Sequence, residues 1–151
     1  MKTKLTILAT LAFVAAVAAG CGGGDSGGGS ANNTGKAPVV LRKAVPADFK
    51  DKTNPTPDAK AEGEKLFKAQ CVSCHGDKGD GDSAIGKALN PPAGDLTAAA
   101  FHDAVKDDYI FWRITVGGAG GPQGSGMTPF KDTLNEEQRW QVVAYVRSLK
   151  K

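Results

Sequence analysis

Cysteine is scarce in this chain: three in 151 residues, at positions 21, 71 and 74. Three cannot build a framework of several disulfides. Net charge is also small. The formal balance is +3, and Lys2 and Lys4 supply two of those charges. Without residues 1–20 the balance is +1. That gives no warrant for nucleic acid as a partner, nor for a polybasic membrane patch. No stretch alternates apolar and polar residues as a half-buried strand would. No segment repeats. The only long apolar run, residues 5–19, is shorter than the ~20 residues a spanning helix needs. It reaches that length only when extended through Gly20 to Gly24, which keeps an uncleaved anchor as the alternative.

What is present at the N-terminus reads as an export signal. MKTK is a short positive start, LTILATLAFVAAVAA is the apolar core, and AAG puts small residues before a cut. AAGC resembles the bacterial lipobox, in which the cysteine becomes residue one and carries lipid. That resemblance implies lipidation of Cys21; its departure is Ala18, where the pattern has a larger aliphatic residue. The alternative is a secreted protein with a leftover thiol. GGGDSGGGSANNTG follows at once, a flexible tether with a root-mean-square reach of ~20 Å. The expected organisation is signal peptide 1–20, lipid anchor and flexible Gly/Ser linker 21–36, extended proline-containing arm 37–56, and folded domain 57–151.

Inside that domain the signals are helical. Thr56-Pro57 reads as a cap and first helical residue, and Asp58 to Gln70 is made of good helix formers. Gly63 interrupts it at ~1 kcal/mol, which asks for a packing reason such as the close approach of another helix. Asp107 is placed to cap a helix carrying Ile110, Phe111 and Ile114. Asn135 with Gln138 forms a capping-box pattern, followed by Val142, Tyr145, Val146 and Leu149 at helical spacing. The rest is glycine- and proline-rich loop. A core this thin gains from a large apolar object to fold around.

CVSCH, residues 71–75, limits what that object is. A dithiol redox site would place the pair after a strand, at a helix start; here it follows a helix. Structural zinc needs four ligands, and adjacent Cys74 and His75 cannot easily both face one small ion. C-x-x-C-H is the attachment motif of c-type haem. Two thiols add across two vinyl groups, and the histidine behind them lies beneath the iron as an axial ligand. Candidates for the opposite face are Met127, in the loop GSGMTPF, and His102. Met127 is the choice, because a thioether on a glycine-loosened loop can be brought over the haem. His102 reads as a surface helix residue.

The stretches GEKLFKAQCVSCHGDKGDGD, LNPPAGDL, FWRITVGGAGGPQGSGMTPF and LNEEQRWQVVAYVRSL together resemble a class I monohaem cytochrome c over roughly residues 58–150. The resemblance implies an all-α fold of three to five helices packed around one covalent haem c. Cys71 and Cys74 would be the thioether attachments, His75 the proximal ligand and Met127 the distal one. Gly63 and Phe67 would cross the C-terminal helix at Tyr145. Pro91 or Pro92 would set its carbonyl on the other ring nitrogen of His75, a bond that fixes such a ligand.

The remaining motifs are weaker. GGAGG lacks the strand, helix and Lys-Ser/Thr pair of a phosphate loop. GDKGDGD lacks the glutamate of a calcium loop. Trp112 and Trp140 read as core or haem-wall aromatics. Arg113 fits a haem propionate or an exposed helix position equally. The functional expectation is a one-electron carrier and not an enzyme, exported and lipid-anchored to a membrane facing the periplasm or cell exterior. Its partners would be a quinol-oxidising complex and a terminal oxidase or reductase. The alternatives are a haem enzyme or ligand sensor with a labile distal Met127, or a fixed cytochrome subunit of a respiratory complex.

Overall fold

A computed structural model describes residues 44–118 and 124–151. The expected leader, Cys21, the Gly/Ser tether and the middle of the glycine run, 119–123, lie outside the described residues. Among the described residues six helices follow one another: α1 (Lys60–Gln70), α2 (Val72–His75), α3 (Ala84–Ala88), α4 (Ala99–Ala104), α5 (Asp107–Val116) and α6 (Glu136–Ser148). The described residues contain no strand, so the fold is all-α. The count exceeds three to five because α2, α3 and α4 are short turns of helix set in the loops.

α1 and α6 form the principal crossing. Its tightest point is Gly63, where a Cβ would overlap the Gln141 carbonyl oxygen and come within 2.9 Å of the Tyr145 Cβ. This is the packing reason the glycine asked for. One turn on, Phe67 is 1% exposed and its ring meets Tyr145 at 5.1 Å, tilted by 55°. α6 starts as its sequence predicts. The Asn135 side chain accepts from the Gln138 N–H at 2.8 Å. The Gln138 side chain accepts from the Asn135 N–H at 2.9 Å.

Two helix starts differ from expectation. α1 begins at Lys60 rather than Pro57. Asn54 takes the Thr56 N–H at 2.8 Å and the Thr56 hydroxyl at 3.2 Å. The Ala59 N–H then closes on the Thr56 carbonyl at 3.2 Å. These local bonds compete with the helix for the same backbone groups. At α5 the N-cap is Lys106, and Asp107 is already helical. Its carboxylate faces Arg147 of α6, whose Nε donates to it at 2.6 Å. Arg147 also reaches the carbonyls of His102 and Val105, at 3.2 and 2.7 Å. One guanidinium thus fastens the end of α6 to both α4 and α5.

The core runs through Phe67, Phe111, Trp140, Val142, Val143 and Val146, with Phe111 stacked on Trp140 at 3.9 Å. The described part of the arm packs on this stack. It turns at Pro46, whose carbonyl takes the N–H groups of Phe49 and Lys50 at 2.9 Å each. Phe49 then sits 6.1 Å from Phe111. The Asp51 N–H reaches Asp108 at 2.8 Å, and the Asn54 amide donates to the Trp140 carbonyl at 3.0 Å. Among the described residues no helix is long and apolar enough to cross a membrane.

Candidate functional site

The crossing of α1 and α6 fixes where α1 ends, and the end of α1 is the start of the CVSCH turn. Cys71 caps α1, its N–H bonding to the Phe67 carbonyl at 2.8 Å. Its own carbonyl accepts from Cys74 at 3.1 Å and from His75 at 2.9 Å. Cys71, Cys74 and His75 therefore share one helical turn. Both cysteines are unpaired thiols. Burial, with Cys74 close by, pushes the Cys71 thiol up to about 12. That is the opposite of what a redox dithiol needs.

Ser83, which the sequence reading does not single out, secures this turn. Its hydroxyl caps α3 by accepting from the Gly86 N–H at 2.8 Å. The same hydroxyl lies 2.9 Å from the carbonyls of Ser73 and Cys74. The His75 carbonyl takes the Gly81 N–H at 2.8 Å.

The His75 ring has one nitrogen engaged. Nδ1 lies 3.3 Å from the Gly94 carbonyl oxygen. The acceptor is neither Pro91 nor Pro92, contrary to the sequence expectation. The loop is pinned on either side of Gly94, by Ala93 N–H to the Gly86 carbonyl at 2.9 Å and Leu96 N–H to the Gly79 carbonyl at 2.8 Å. The carbonyl between these anchors is the one that faces the ring. With Nδ1 as the donor, Nε2 carries the lone pair. Burial holds the His75 pKa below the ordinary histidine value, partly offset by the Gly94 bond.

Met127 stands on the loop between α5 and α6, half-buried against the core. That loop folds back on α5. The Gly118 N–H donates to the Met127 carbonyl at 2.7 Å, and the Phe130 N–H to the Ile114 carbonyl at 3.0 Å. A Cβ on Gly118 would overlap the Ser125 carbonyl, so only glycine permits this closure. On its other side the loop abuts Leu89, which would lie 2.7 Å from a Cβ on Gly126. The loop carrying Met127 is thus a neighbour of the loop that holds His75.

His102 is not a surface residue. It is 7% exposed, with Nε2 at 2.8 Å from the Leu96 carbonyl and Nδ1 at 3.5 Å from the Arg147 guanidinium. Trp112 and Trp140 are both buried. Among the described residues no cluster of three His, Cys, Asp or Glu side chains is arranged to hold a metal ion.

An all-helical fold around a two-thiol turn, with an oriented histidine directly behind it, defines a c-type haem protein. The family model for cytochrome c matches residues 60–150. The chain belongs to the cytochrome c family, and its cofactor is covalently bound haem c with iron. It is similar to the KustC0563 c-type cytochrome, at 30% identity, covering 59% of this chain and 98% of that one, with a TM-score of 0.49. It is also similar to a chain of the Kuenenia stuttgartiensis reducing HAO-like protein complex Kustc0457/Kustc0458, at 26% identity and a TM-score of 0.55. That match covers 74% of this chain and 53% of the other, about half its length. Cytochrome cL of Methylophaga aminisulfidivorans matches at 25% identity over 63% of this chain and 57% of its own, with a TM-score of 0.47. No curated protein matches the sequence. Family membership places the chain among haem-based electron carriers.

Proposed function

We propose that this protein is a one-electron carrier whose haem is attached through Cys71 and Cys74 and ligated by His75 and Met127. The observation that carries this reading is the hydrogen bond from His75 Nδ1 to the Gly94 carbonyl at 3.3 Å. It leaves Nε2 as the nitrogen free to bind iron, on the same turn as two unpaired thiols. A ring held by a backbone carbonyl is fixed in tautomer and orientation, and is a stronger donor.

The residues present fit the group. The thiols share one turn, the histidine is oriented, and the only other soft donor among the described residues, Met127, stands on a loop adjoining the one that holds His75. The haem, when bound, supplies the one-electron couple of its iron. Cys71 and Cys74 would hold it covalently, and His75 and Met127 would ligate its iron. With His75 and Met127 both bound, no position would be open to oxygen, peroxide or nitrite. A thioether opposite histidine favours the reduced state.

The sequence before the described residues adds the anchor. Export by residues 1–20 and lipid on Cys21 would hold the carrier to a membrane facing the periplasm or cell exterior. The tether would raise its effective concentration at partners there. Those partners are a quinol-oxidising complex as donor and a terminal oxidase or reductase as acceptor. A second reading, a fixed subunit of a respiratory complex, is favoured by the similarity to a chain of a multi-protein complex. Purification in mild detergent separates the two, since a fixed subunit brings its complex with it.

Carbon monoxide tests the ligand set. The reduced wild-type protein is expected to exclude it near neutral pH, and Met127→Ala to bind it. Ready binding by the wild type overturns the closed carrier and leaves the enzyme or sensor reading. The intact mass of exported protein checks the attachments: one haem, and diacylglycerol on Cys21.

A further inference from the structure

His102 is a buried ring with no part in the proposed ligand set, and both of its nitrogens are engaged. Nε2 lies 2.8 Å from the Leu96 carbonyl oxygen. A carbonyl only accepts, so the ring hydrogen is on Nε2. Nδ1 lies 3.5 Å from Arg147 Nη1. A guanidinium only donates, so Nδ1 carries the lone pair. The two contacts demand the same tautomer. Arg147 Nη1 also donates to the His102 carbonyl at 3.2 Å, while Nε is paired with Asp107 at 2.6 Å. The ring is therefore gripped from α6 and aimed at the loop between α3 and α4.

That loop is the one that holds His75. Gly94 offers its carbonyl to His75 Nδ1 at 3.3 Å, and Leu96 stands two residues on. The segment between them is a closed turn. The Asp95 carboxylate accepts from the Thr97 N–H and from the Thr97 hydroxyl, at 2.7 Å each. The Leu96 N–H goes to the Gly79 carbonyl at 2.8 Å. Residues 94–97 are thus tied to one another, and the Leu96 carbonyl is where α4 takes hold of them. An apolar side chain at position 102 would leave that carbonyl without its donor, and an acceptor left unpaired inside a protein costs more than the bond contributes. We infer that His102 is a positioning residue for the proximal ligand: through the Leu96 carbonyl it sets the Gly94 carbonyl on His75, and so how strongly that ring donates to the iron. The inference rests on the reading of His75 as the proximal ligand and carries the site outward to α4 and Arg147. A firm bond from Nδ1 makes a ligating ring more basic, which favours the oxidised iron. The sign is opposite to that of the Met127 thioether.

Haem-loaded His102→Leu and His102→Gln test this at pH 7.5, by redox titration and by hydrogen exchange of the His75 Nδ1 proton in the NMR spectrum of the reduced protein. His102→Leu removes the donor. It is expected to shift the equilibrium several-fold toward the reduced form and to speed exchange of the Nδ1 proton about tenfold. His102→Gln keeps an N–H for the Leu96 carbonyl and is expected to restore both readouts. A residue that merely fills space under α4 would lower the urea midpoint and move neither. A wild-type value of either readout in His102→Leu overturns the inference, as does a glutamine variant nearer to the leucine variant than to wild type. Should His102→Leu fail to accumulate with haem, His102→Phe keeps the bulk of the ring without the donor and is read in the same way. In the wild type itself the ring-nitrogen shifts are expected to place the His102 hydrogen on Nε2, and a hydrogen on Nδ1 overturns the inference without any variant. The oxidised wild type is expected to show the His75 ring protons strongly shifted by the iron. Their absence overturns the ligand reading instead, so the two failures are distinct.

Discussion

The turn that carries Cys71, Cys74 and His75 and the loop that carries Met127 are built on opposite plans. The turn is held almost wholly by backbone groups. Phe67, Cys71, Gly81 and Gly94 each contribute an N–H or carbonyl to it, and the Ser83 hydroxyl covers two more carbonyls. It also grows directly out of α1, which is wedged against α6. Among the described residues the Met127 loop is tied back by the Gly118–Met127, Phe130–Ile114 and Lys131–Thr115 backbone bonds and by the Arg113–Ser125 side-chain bond. In the proposed donor set one side is thus a turn fixed by backbone bonds and the other a loop folded back on α5. The turn side suits covalent attachment, which needs two thiols and a ring in fixed relation. The loop side would carry the proposed second ligand, Met127.

The largest effect expected is on the turn side. Cys71→Ser with Cys74→Ser removes both nucleophiles of attachment, and the exported protein should show no haem in its intact mass. Retention of covalent haem would break the comparison at its root. Next is the wedge that positions the turn. Gly63→Val would drive its side chain into the Gln141 carbonyl and the Tyr145 Cβ. Backbone cannot yield as a side-chain tip can, so the cost is expected at about 3 kcal/mol or more, the upper end for overpacking. Urea unfolding of the haem-loaded protein measures it. A loss under about 1 kcal/mol would mean that α1 shifts freely, and the turn with it.

What was legible beforehand follows the same division. The capping box of Asn135 and Gln138, the Gly63–Tyr145 crossing and the CVSCH turn all rest on residues a few positions apart, or on one glycine in an otherwise helical run. Sequence shows such patterns directly. What it hid was set by long-range pairing. Gly94 replaces the prolines as the partner of His75 because Gly86 and Gly79 pin the loop around it. His102 looked exposed on its own helix, yet Leu96 and Arg147 close over it. The arm gave no local sign that Phe49 would pack on Phe111, sixty-two positions away. Ser83 follows a run of Asp and Gly, and no residues of a capping box mark it as a helix start.

A smaller effect distinguishes Ser83's two duties. Ser83→Ala removes the α3 cap and exposes two carbonyls of the turn. Loss of a cap costs about 1 kcal/mol, and urea unfolding should show at least that. Ser83→Gly keeps the cap cost to a few tenths yet still strips the carbonyls of Ser73 and Cys74. If the glycine variant is as stable as the wild type, the hydroxyl contributes only to α3. If it matches the alanine variant, the hydroxyl is holding the turn.

The smallest effect expected belongs to neither side of the site, and it concerns the response to pH. His102 is held below the ordinary histidine value, first by burial, and further by Arg147 and Lys150. The Leu96 bond and Asp103 pull the other way. The unfolded chain therefore takes up this proton before the folded one does as pH falls. Stability from neutral His102 is complete above the unfolded value of ~6.5 and declines as pH drops through it. Protonation also sets a charge beside Arg147, which ties α4, α5 and α6 together. Urea midpoints of the haem-loaded protein are expected to fall between pH 7.5 and 5, and His102→Gln to flatten that slope. The haem-bound state is the one to measure, since the free His75 ring titrates in the same direction. An unchanged slope in His102→Gln would move the pH response back to the site itself.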